Sequence, residues 1–381
     1  MARVAIVAGI CTHHDAISNV VRLQEQVLAA AGHDVRVYVQ HTDFPGPTHV
    51  KVSDAWRLMS DGWFLSVDVV IYHFGIAYGL FDALLLTHPH ARSVVHFHNV
   101  TPPELLHGQA RIQAMKGIDQ IAIASRADAV WSDSVHNTEC LLEWSDVESS
   151  RVVTMPLCVP WVHEESIAAR AGHLRHAREV RVLSVGRLVP AKGQHDLVAA
   201  IAALPHAQLA ETTLEFIASS EHSDLAFVEQ LRSAAEELGV AERVTFAFDL
   251  PDAEVHGRYL TADLFVSSSY HEGFCVPVIE ALVAGCAVVV TDAGALPETV
   301  AGCGTVVPVG DVAAMSAAIS SEIGALSRNT ATVDRESVAN HVIGYSLDSF
   351  AERTLDALDR VLTLPMEADR EMKAEGSTPA A

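Results

Sequence analysis

Basic residues are scarce in this chain of 381 residues: 25 Lys and Arg stand against 48 Asp and Glu, for a formal net charge of −23. Nucleic-acid binding draws most of its affinity from Lys and Arg at phosphates, so the composition disfavours a DNA or RNA partner. The first 160 residues carry 10 basic and 16 acidic side chains and hold no positive surplus for an anionic membrane. We therefore expect no nucleic-acid partner and no strong membrane association.

Cysteines and long apolar runs are also few. Six cysteines without a C-x-x-C pair are too sparse for a disulfide framework. No window of about 18–20 residues is uniformly apolar, which predicts no membrane span. The apolar start at Met1–Ile10 soon reaches His13 and does not resemble a signal peptide. These features predict a cytoplasmic protein with reduced thiols, and they leave the oligomeric state open.

Histidine, by contrast, is abundant, with 21 residues. A metal site needs histidines grouped at ligand spacing with thiols or carboxylates, and no zinc-helix signature is present. We therefore predict no metal. The pairs that lie close in sequence are His13 and His14, His96 and His98, and His173 and His176.

Short apolar runs alternate with helical stretches in two successive series, which indicates parallel sheets covered on both faces. The sequence predicts an α/β protein with two doubly wound, Rossmann-like domains facing across a cleft, with ligands at the carboxyl ends of the strands. The predicted strands are Arg3–Ala8, Asp34–Val39, Asp68–Tyr72, Ser93–Phe97, Ala129–Ser132 and Val152–Met155, then Val180–Val185, Leu214–Ala218, Val244–Phe248, Leu264–Ser267, Ala287–Thr291 and Thr305–Val307.

The domain boundaries follow from the restart of this pattern. We predict an N-terminal Rossmann-like domain over 1–165 and a C-terminal Rossmann-like domain over 166–344, with a polar connector at Glu164–Arg178. A helix over 345–365 is expected to pack back toward the N-terminal domain, and the polar residues 366–381 are expected to form a mobile tail.

The most informative segment runs from Ser267 to Val300 and predicts a strand, a glycine turn and a helix. A helix N-terminus favours an anion. Glu272 on the turn and Glu280 in the helix can each accept hydrogen bonds from a vicinal diol. The segment is therefore typical of a sugar–phosphate–ribose site. Backbone N–H groups expected to point at the ligand belong to Gly273, Phe274, Cys275 and Val276.

A second segment, Val185–Asp196, places two cations in the loop after another predicted strand. Arg187 can grip a phosphate with its planar fork, and Lys192 can act as a point charge. Two cations at one strand end favour a diphosphate ligand.

Together these segments, G-R-x3–4-K-G and then E-G-F-x5-E-A-x3-G, resemble the retaining glycosyltransferases of family 4, which have the GT-B fold. The resemblance implies that Arg187 and Lys192 bind the diphosphate and stabilise the leaving group. It also implies that Glu272 holds donor-sugar hydroxyls and that Glu280 binds the ribose. By the same resemblance the domain over 166–344 binds the nucleotide-sugar donor and the domain over 1–165 binds the acceptor. The reaction implied is a front-face transfer with a nucleotide-diphosphate sugar as co-substrate and no cofactor. The sequence contains no Asp-x-Asp triplet and so gives no indication of a metal that bridges the diphosphate.

The N-terminal half resembles that family more loosely. Asp15 and Ala16 occupy the loop where many members have two glycines, and a His-Asn-x-Thr-Pro segment follows a Tyr-His segment. By this resemblance His98 lies beside the donor sugar and is counted with the catalytic residues. His73 and Asn99 belong to the acceptor side or the loop. We expect His96, two positions before His98, to point to the other face.

Alternatives remain open at this point. A nucleotide-sugar epimerase or hydrolase could use the same fold, and so could a non-catalytic sugar-binding relative. A dinucleotide oxidoreductase is disfavoured because no G-x-G-x-x-G follows the first strand. The resemblance leans toward GDP over UDP sugars, and the charge distribution favours a soluble small-molecule or saccharide acceptor. The sequence specifies neither the acceptor nor the acceptor atom that receives the sugar.

Overall fold

The computed structural model describes residues 1–13, 15–86, 90–162, 179–328, 330 and 334–364. The predicted connector Glu164–Arg178 lies wholly outside these ranges, as do the predicted tail 366–381 and His14, His173 and His176. Contacts group the chain into two compact units. Unit 1 comprises Met1–Val100, Ile112–Met155 and Phe350–Ala381, and unit 2 comprises Thr101–Arg111 and Pro156–Ser349.

Unit 1 is built on a parallel sheet of seven strands in the order β3-β2-β1-β4-β5-β6-β7. Residues Val4, Ile6, Val37, Ile71 and Val94 of its central strands are buried in one apolar core. The strands are β1 (Arg3–Cys11), β2 (Asp34–Thr42), β3 (His49–Lys51), β4 (Val69–Phe74), β5 (Arg92–Phe97), β6 (Ala129–Ser132) and β7 (Val152–Thr154).

Unit 2 repeats the design with a parallel sheet of six strands in the order β10-β9-β8-β11-β12-β13. Val182, Leu214, Leu264 and Val289 contribute to its core from four neighbouring strands. The strands are β8 (Val180–Val185), β9 (Thr212–Ala218), β10 (Val244–Phe248), β11 (Leu264–Ser267), β12 (Ala287–Thr291) and β13 (Thr305–Val307).

Helices connect the strands and cover the sheets. The α-helices are α1 (Ala16–Ala30), α2 (Ala55–Met59), α3 (Gly108–Ile121), α4 (Val135–Trp144), α5 (Gln194–Ala202), α6 (His206–Leu209), α7 (Leu225–Glu237), α8 (Asp252–Thr261), α9 (Val276–Val283), α10 (Leu296–Val300), α11 (Val312–Ser327), α12 (Arg335–Val342) and α13 (Leu347–Thr363). Within the described ranges, none of these helices combines the length and apolarity needed to cross a membrane.

The C-terminal helix α13 belongs to the core of unit 1. Its residues Ala357, Leu358 and Val361 are buried with the central strands of that sheet. The spacing of these residues places them on one face of the helix, so the chain returns to its first sheet at its C-terminal end.

Candidate functional site

Two polar clusters lie at the carboxyl edges of the two sheets, and each is built entirely within its own unit. In unit 2 the cluster follows β8 and β11, which are neighbours in the sheet. In unit 1 it follows β4, β5 and β6, again neighbours. Carboxyl ends of parallel strands are where ligands of such sheets bind.

The centre of the unit 2 cluster is an ion pair between Lys192 and Glu272. The Lys192 Nζ atom lies 2.5 Å from Oε1 of Glu272, and the two side chains are 21% and 11% exposed. Ser269 Oγ donates to the same carboxylate oxygen at 2.8 Å. Burial raises the pKa of Glu272, but Lys192 and Ser269 together hold it below its ordinary value. The structure thus presents an ionised carboxylate and a cation, both fixed, at the strand ends.

Gly193 explains how Lys192 comes so close to β11. It has a φ of +64°, and a Cβ atom at this position would collide with the carbonyl oxygen of Ser268. The loop is held to the strand end by Ser268 Oγ, which donates to the Lys192 carbonyl at 3.1 Å, and by the Tyr270 N–H, which donates to Ala191 at 2.9 Å. Only glycine permits both the backbone conformation and the close approach.

Arg187, the second predicted cation, is exposed at the end of β8. Gln194 Nε2 donates to its carbonyl oxygen at 2.8 Å, which ties the start of the loop to α5. Among the residues that the structure describes, no carboxylate lies within ion-pair distance of the Arg187 guanidinium. Its charge is therefore available for an anionic ligand.

The turn into α9 carries the predicted backbone donors. Cys275 caps the helix with a φ of +81°, a conformation that L-residues rarely adopt, and Pro277 follows in the first turn. Thr299 Oγ1 donates to the Phe274 carbonyl at 2.5 Å and holds the turn in place. Burial raises the pKa of the Cys275 thiol well above its ordinary value. The thiol is therefore in its neutral, weakly nucleophilic form near pH 7.

Glu280 lies one side of this helix and is partly buried. Burial raises the pKa of Glu280 to about 7, with Tyr259 acting in the opposite direction and Asp252 adding to the rise. Its protonation therefore changes near neutral pH. A carboxylate with this environment gains from hydrogen-bond donors such as ribose hydroxyls, which favour its charged form.

The unit 1 cluster joins three histidines that the strands bring side by side. The register pairs His73 of β4 with His96 of β5, and His98 follows β5 directly. His73 Nδ1 lies 2.9 Å from His98 Nε2, and His98 Nδ1 lies 2.9 Å from an oxygen of Asp133. His96 Nε2 approaches Asp133 at 3.0 Å, so the expectation that His96 points to the other face is wrong. Residues two positions apart in a strand share a face.

Ligand atoms of His73, His96 and His98 lie within 4.8 Å of one another. Each of their six ring nitrogens, however, already lies within hydrogen-bond distance of a protein atom. The arrangement is therefore a hydrogen-bond network and not a set of open ligands. The expectation that the protein uses no metal remains a prediction.

The remaining N-terminal candidates have local structural partners. Asp15 caps α1 and accepts from the Ser18 N–H at 2.8 Å and from its hydroxyl at 2.6 Å, and Ala16 is the first helical residue. Asn99 has a φ of +72° and donates to Asn137 Oδ1 at 2.7 Å. These contacts show how the two loops are held; they do not test a role in acceptor binding.

Several polar residues of both clusters were not found from the sequence. In unit 2 these are Ser269 and Tyr270, whose hydroxyl donates to Asp196 at 2.7 Å. In unit 1 they are Gln24 and Asp133. A signal existed for Asp133, since it directly follows the buried strand β6 within a Ser-Asp-Ser run. Gln24 gave none, because nothing local distinguishes it from other helical polar residues.

Known proteins resemble this chain both in sequence and in fold. Residues 166–325 match the family described as glycosyl transferases group 1. The D-inositol 3-phosphate glycosyltransferase of Mycobacterium sp. (strain JLS) is 28% identical over 264 residues. That match covers 68% of this chain and 58% of the relative, so the chain aligns with little more than half of that relative's length.

Solved structures share the fold over nearly the whole chain. Sucrose-phosphate synthase from Thermosynechococcus elongatus aligns with a TM-score of 0.72 at 19% identity, covering 95% of this chain and 99% of that one. Anabaena HepE in complex with UDP-glucose aligns with a TM-score of 0.68 at 15% identity, covering 94% and 100%. The predicted α/β class and the two Rossmann-like sheets of the GT-B fold are confirmed.

Proposed function

We propose that the protein is a retaining glycosyltransferase that uses a nucleotide-diphosphate sugar as donor. The observation that carries the proposal is the fixed pair of Lys192 and Glu272 at the carboxyl edge of the unit 2 sheet, beside the N-terminus of α9. A cation and a helix N-terminus suit a diphosphate, and an ionised carboxylate suits sugar hydroxyls. The match of residues 166–325 to group 1 glycosyl transferases supports the same activity.

In the proposed reaction Lys192 and Arg187 stabilise the negative charge that develops on the leaving diphosphate. Such preorganised charge is a large contribution to catalysis in sites of this kind. Glu272 orients the donor sugar and Glu280 holds the ribose. The leaving phosphate accepts the acceptor's proton, so no side-chain nucleophile is needed. Since two cations neutralise the diphosphate, transfer proceeds without a divalent metal.

The donor base and the acceptor can each be identified by screening candidate compounds. The Anabaena structure holds UDP-glucose, whereas the His-Asn-x-Thr-Pro segment favours GDP sugars, so both classes belong in the first screen. The relatives are named for D-inositol 3-phosphate. We therefore include this compound, with saccharides and other small metabolites, among the candidate acceptors. A thermal-shift screen against UDP, GDP and ADP sugars identifies the donor as the nucleotide sugar that raises the Tm most.

The test of the function is sugar transfer by wild type and by Glu272→Gln, with excess chelator present. Wild type is expected to transfer sugar, and Glu272→Gln is expected to lose at least about a hundredfold in kcat/KM. Glu237→Gln, an exposed carboxylate on α7, is the matched control and is expected to keep full activity. Release of free sugar or an epimer without any acceptor would instead indicate a hydrolase or an epimerase.

A further inference from the structure

Five side chains of unit 1 form a closed ring of hydrogen-bond contacts. Going round it, Asp133 contacts His98 Nδ1 at 2.9 Å, and His98 Nε2 contacts His73 Nδ1 at 2.9 Å. His73 Nε2 contacts Gln24 Oε1 at 3.0 Å, and Gln24 Nε2 contacts His96 Nδ1 at 3.0 Å. His96 Nε2 returns to Asp133 at 3.0 Å. The ring draws one member each from α1, β4 and the ends of β6 and β5, and His96 from within β5.

With Asp133 ionised, the ring needs one hydrogen more than its members supply. Each of the five contacts requires one hydrogen between its two heavy atoms. An ionised Asp133 supplies none, the Gln24 amide supplies one because its other atom facing the ring is the carbonyl oxygen, and three neutral imidazoles supply one each. That makes four. A fifth proton must be bound for all five contacts to be hydrogen bonds.

The orientation of the amide decides where the extra proton resides. When Gln24 Oε1 faces His73, His73 donates to Gln24 and Gln24 donates to His96. His98 must then donate from both of its nitrogens, to His73 and to the ionised Asp133. Reversing the amide would move the extra proton to His96 without removing it. His96 is fully buried, and burial lowers its pKa to about 4, while burial also holds the pKa of His73 well below its ordinary value. His98 is therefore the favoured cation.

Asp133 is the favoured anion. Burial raises its pKa, but the positions of His98 and His96 around it bring the pKa below the ordinary carboxyl value. The charged groups that act on His73, His96 and Asp133 are all members of the ring, and the indole of Trp131 packs edge-on against His96 at 5.9 Å. An imidazolium–carboxylate pair is thus enclosed by neutral partners.

We propose that Asp133 and Gln24 are positioning residues that hold His98 as a doubly protonated imidazolium at neutral pH through this ring. The role of the cation in sugar transfer rests on the proposed function; its existence does not. Both N–H groups of such a His98 are used inside the ring and no lone pair remains. It can therefore place a positive charge near a donor sugar or leaving phosphate, but it cannot act as a general base.

The ring offers an unusually clean variant. In Asp133→Asn the new amide supplies one hydrogen of its own, so three neutral imidazoles and two amides provide all five. The variant therefore keeps every contact of the ring and removes the need for the extra proton. Gln24→Leu opens the ring, and the three remaining contacts are satisfied by neutral histidines. Asp119→Asn, an exposed aspartate on α3, is the matched control.

The direct test is ¹⁵N NMR of the histidine rings in protein without ligand, at pH 8, above the ordinary imidazole pKa of about 6.5. The expected result is one histidine with both nitrogens protonated, assigned by its loss in His98→Gln. It should become neutral in Asp133→Asn and in Gln24→Leu and stay unchanged in Asp119→Asn. Neutral imidazoles at all three of His73, His96 and His98 in wild-type protein at pH 8 would overturn the proposal, whether or not the protein transfers sugar.

The pH profile of sugar transfer distinguishes an electrostatic role of the His98 cation from a purely structural role of Asp133. Asp133→Asn is expected to lose about tenfold or more in kcat with KM for the donor little changed, and to lose the fall in wild-type activity at high pH. Asp133→Glu, which restores the carboxylate, should recover part of the rate. An Asp133→Asn enzyme with the wild-type rate and the wild-type pH profile would contradict a role for the charge.

Discussion

Polar side chains are brought together at the carboxyl edges of both sheets, but from differently arranged parts of the chain. Unit 2 gathers its cluster from two short segments, with a glycine contact that brings Lys192 to Glu272. Unit 1 gathers its cluster from four separate segments of the chain, with His98, His73 and Asp133 joined side chain to side chain. The first kind of site leaves a contiguous motif in the sequence and the second does not.

The difference extends to charge. The unit 2 cluster leaves Arg187 exposed and without an ion-pair partner among the residues the structure describes. The unit 1 ring encloses its charges, since Asp133 is 2% exposed and His96 is fully buried. An open cluster is suited to binding an anionic ligand, whereas a closed one is suited to fixing the protonation state of its members. The predictions below test this contrast, from the largest expected effect to the smallest.

The largest effect on stability is expected from Gly193→Ala. The new Cβ collides with the Ser268 carbonyl, and φ is positive, so we expect a loss of about 3 kcal/mol in the free energy of unfolding and loss of donor binding. Gly239→Ala is the control: its φ is +72° but open space surrounds it, so about 1 kcal/mol is expected. Urea denaturation measures both. Equal losses would show that the contact between loop and strand is not what requires glycine.

Lys192→Ala tests the unit 2 cluster through activity. Removing the ammonium leaves the leaving diphosphate less stabilised, so kcat/KM should fall at least about a hundredfold while the fold persists. The pKa of Glu272 should rise, because the cation that lowers it is gone. The rate is measured by sugar transfer with the exposed Lys116→Ala as control. A folded Lys192→Ala protein with undiminished transfer would show that the pair is structural only.

His96 makes unit 1 sensitive to acid. Its pKa is about 4 in the folded protein against an ordinary value of 6.5, so the unfolded chain binds more protons between these values. Stability is therefore present above pH 6.5 and falls as the pH drops toward 4. From pH 7 to pH 5 the loss should be about 2 kcal/mol, and His96→Gln should lack it. The same acid sensitivity in the variant would contradict this assignment.

Glu280 makes the stability of unit 2 depend on pH in the opposite direction and to a smaller extent. Its folded pKa of about 7 exceeds the ordinary 4.5, so the folded protein binds more protons and loses stability as the pH rises. Between pH 6 and pH 8 the loss should be about 1 kcal/mol, and Glu280→Gln should remove it. Denaturation of both proteins at the two pH values measures this. A wild type that gains stability over this range relative to the variant would reverse the sign.

Much of the fold followed from the sequence because buried strands of parallel sheets are apolar runs bounded by turn residues. Ala129–Ser132, Leu264–Ser267 and Ala287–Thr291 have the predicted bounds. The short edge strand β3, His49–Lys51, was missed since it has only three residues and no apolar run. The other edge strands, β7, β10 and β13, were predicted, so β3 was missed because it lacks an apolar run and not because it lies at an edge.

The candidate sites divide in the same way. The unit 2 turn was found because Glu272 lies within one glycine-containing motif. The ring of unit 1 was found only in part: the family resemblance pointed to His98 and His73, but Gln24 and Asp133 were missed. Only the register of β4 and β5 brings His73 beside His96. Register and helix placement are set by tertiary packing, so a site that depends on them leaves no local signal.

The central claim is that Lys192 and Glu272 hold a nucleotide-diphosphate sugar for transfer without a metal. The most direct measurement is product analysis by NMR after incubating wild-type protein with the donor and acceptor found by screening, in excess chelator. We expect a glycoside with the anomeric configuration of the donor, formed by wild type and Lys116→Ala but not by folded Lys192→Ala. An inverted product, strict dependence on a divalent ion, or full transfer by Lys192→Ala would contradict it.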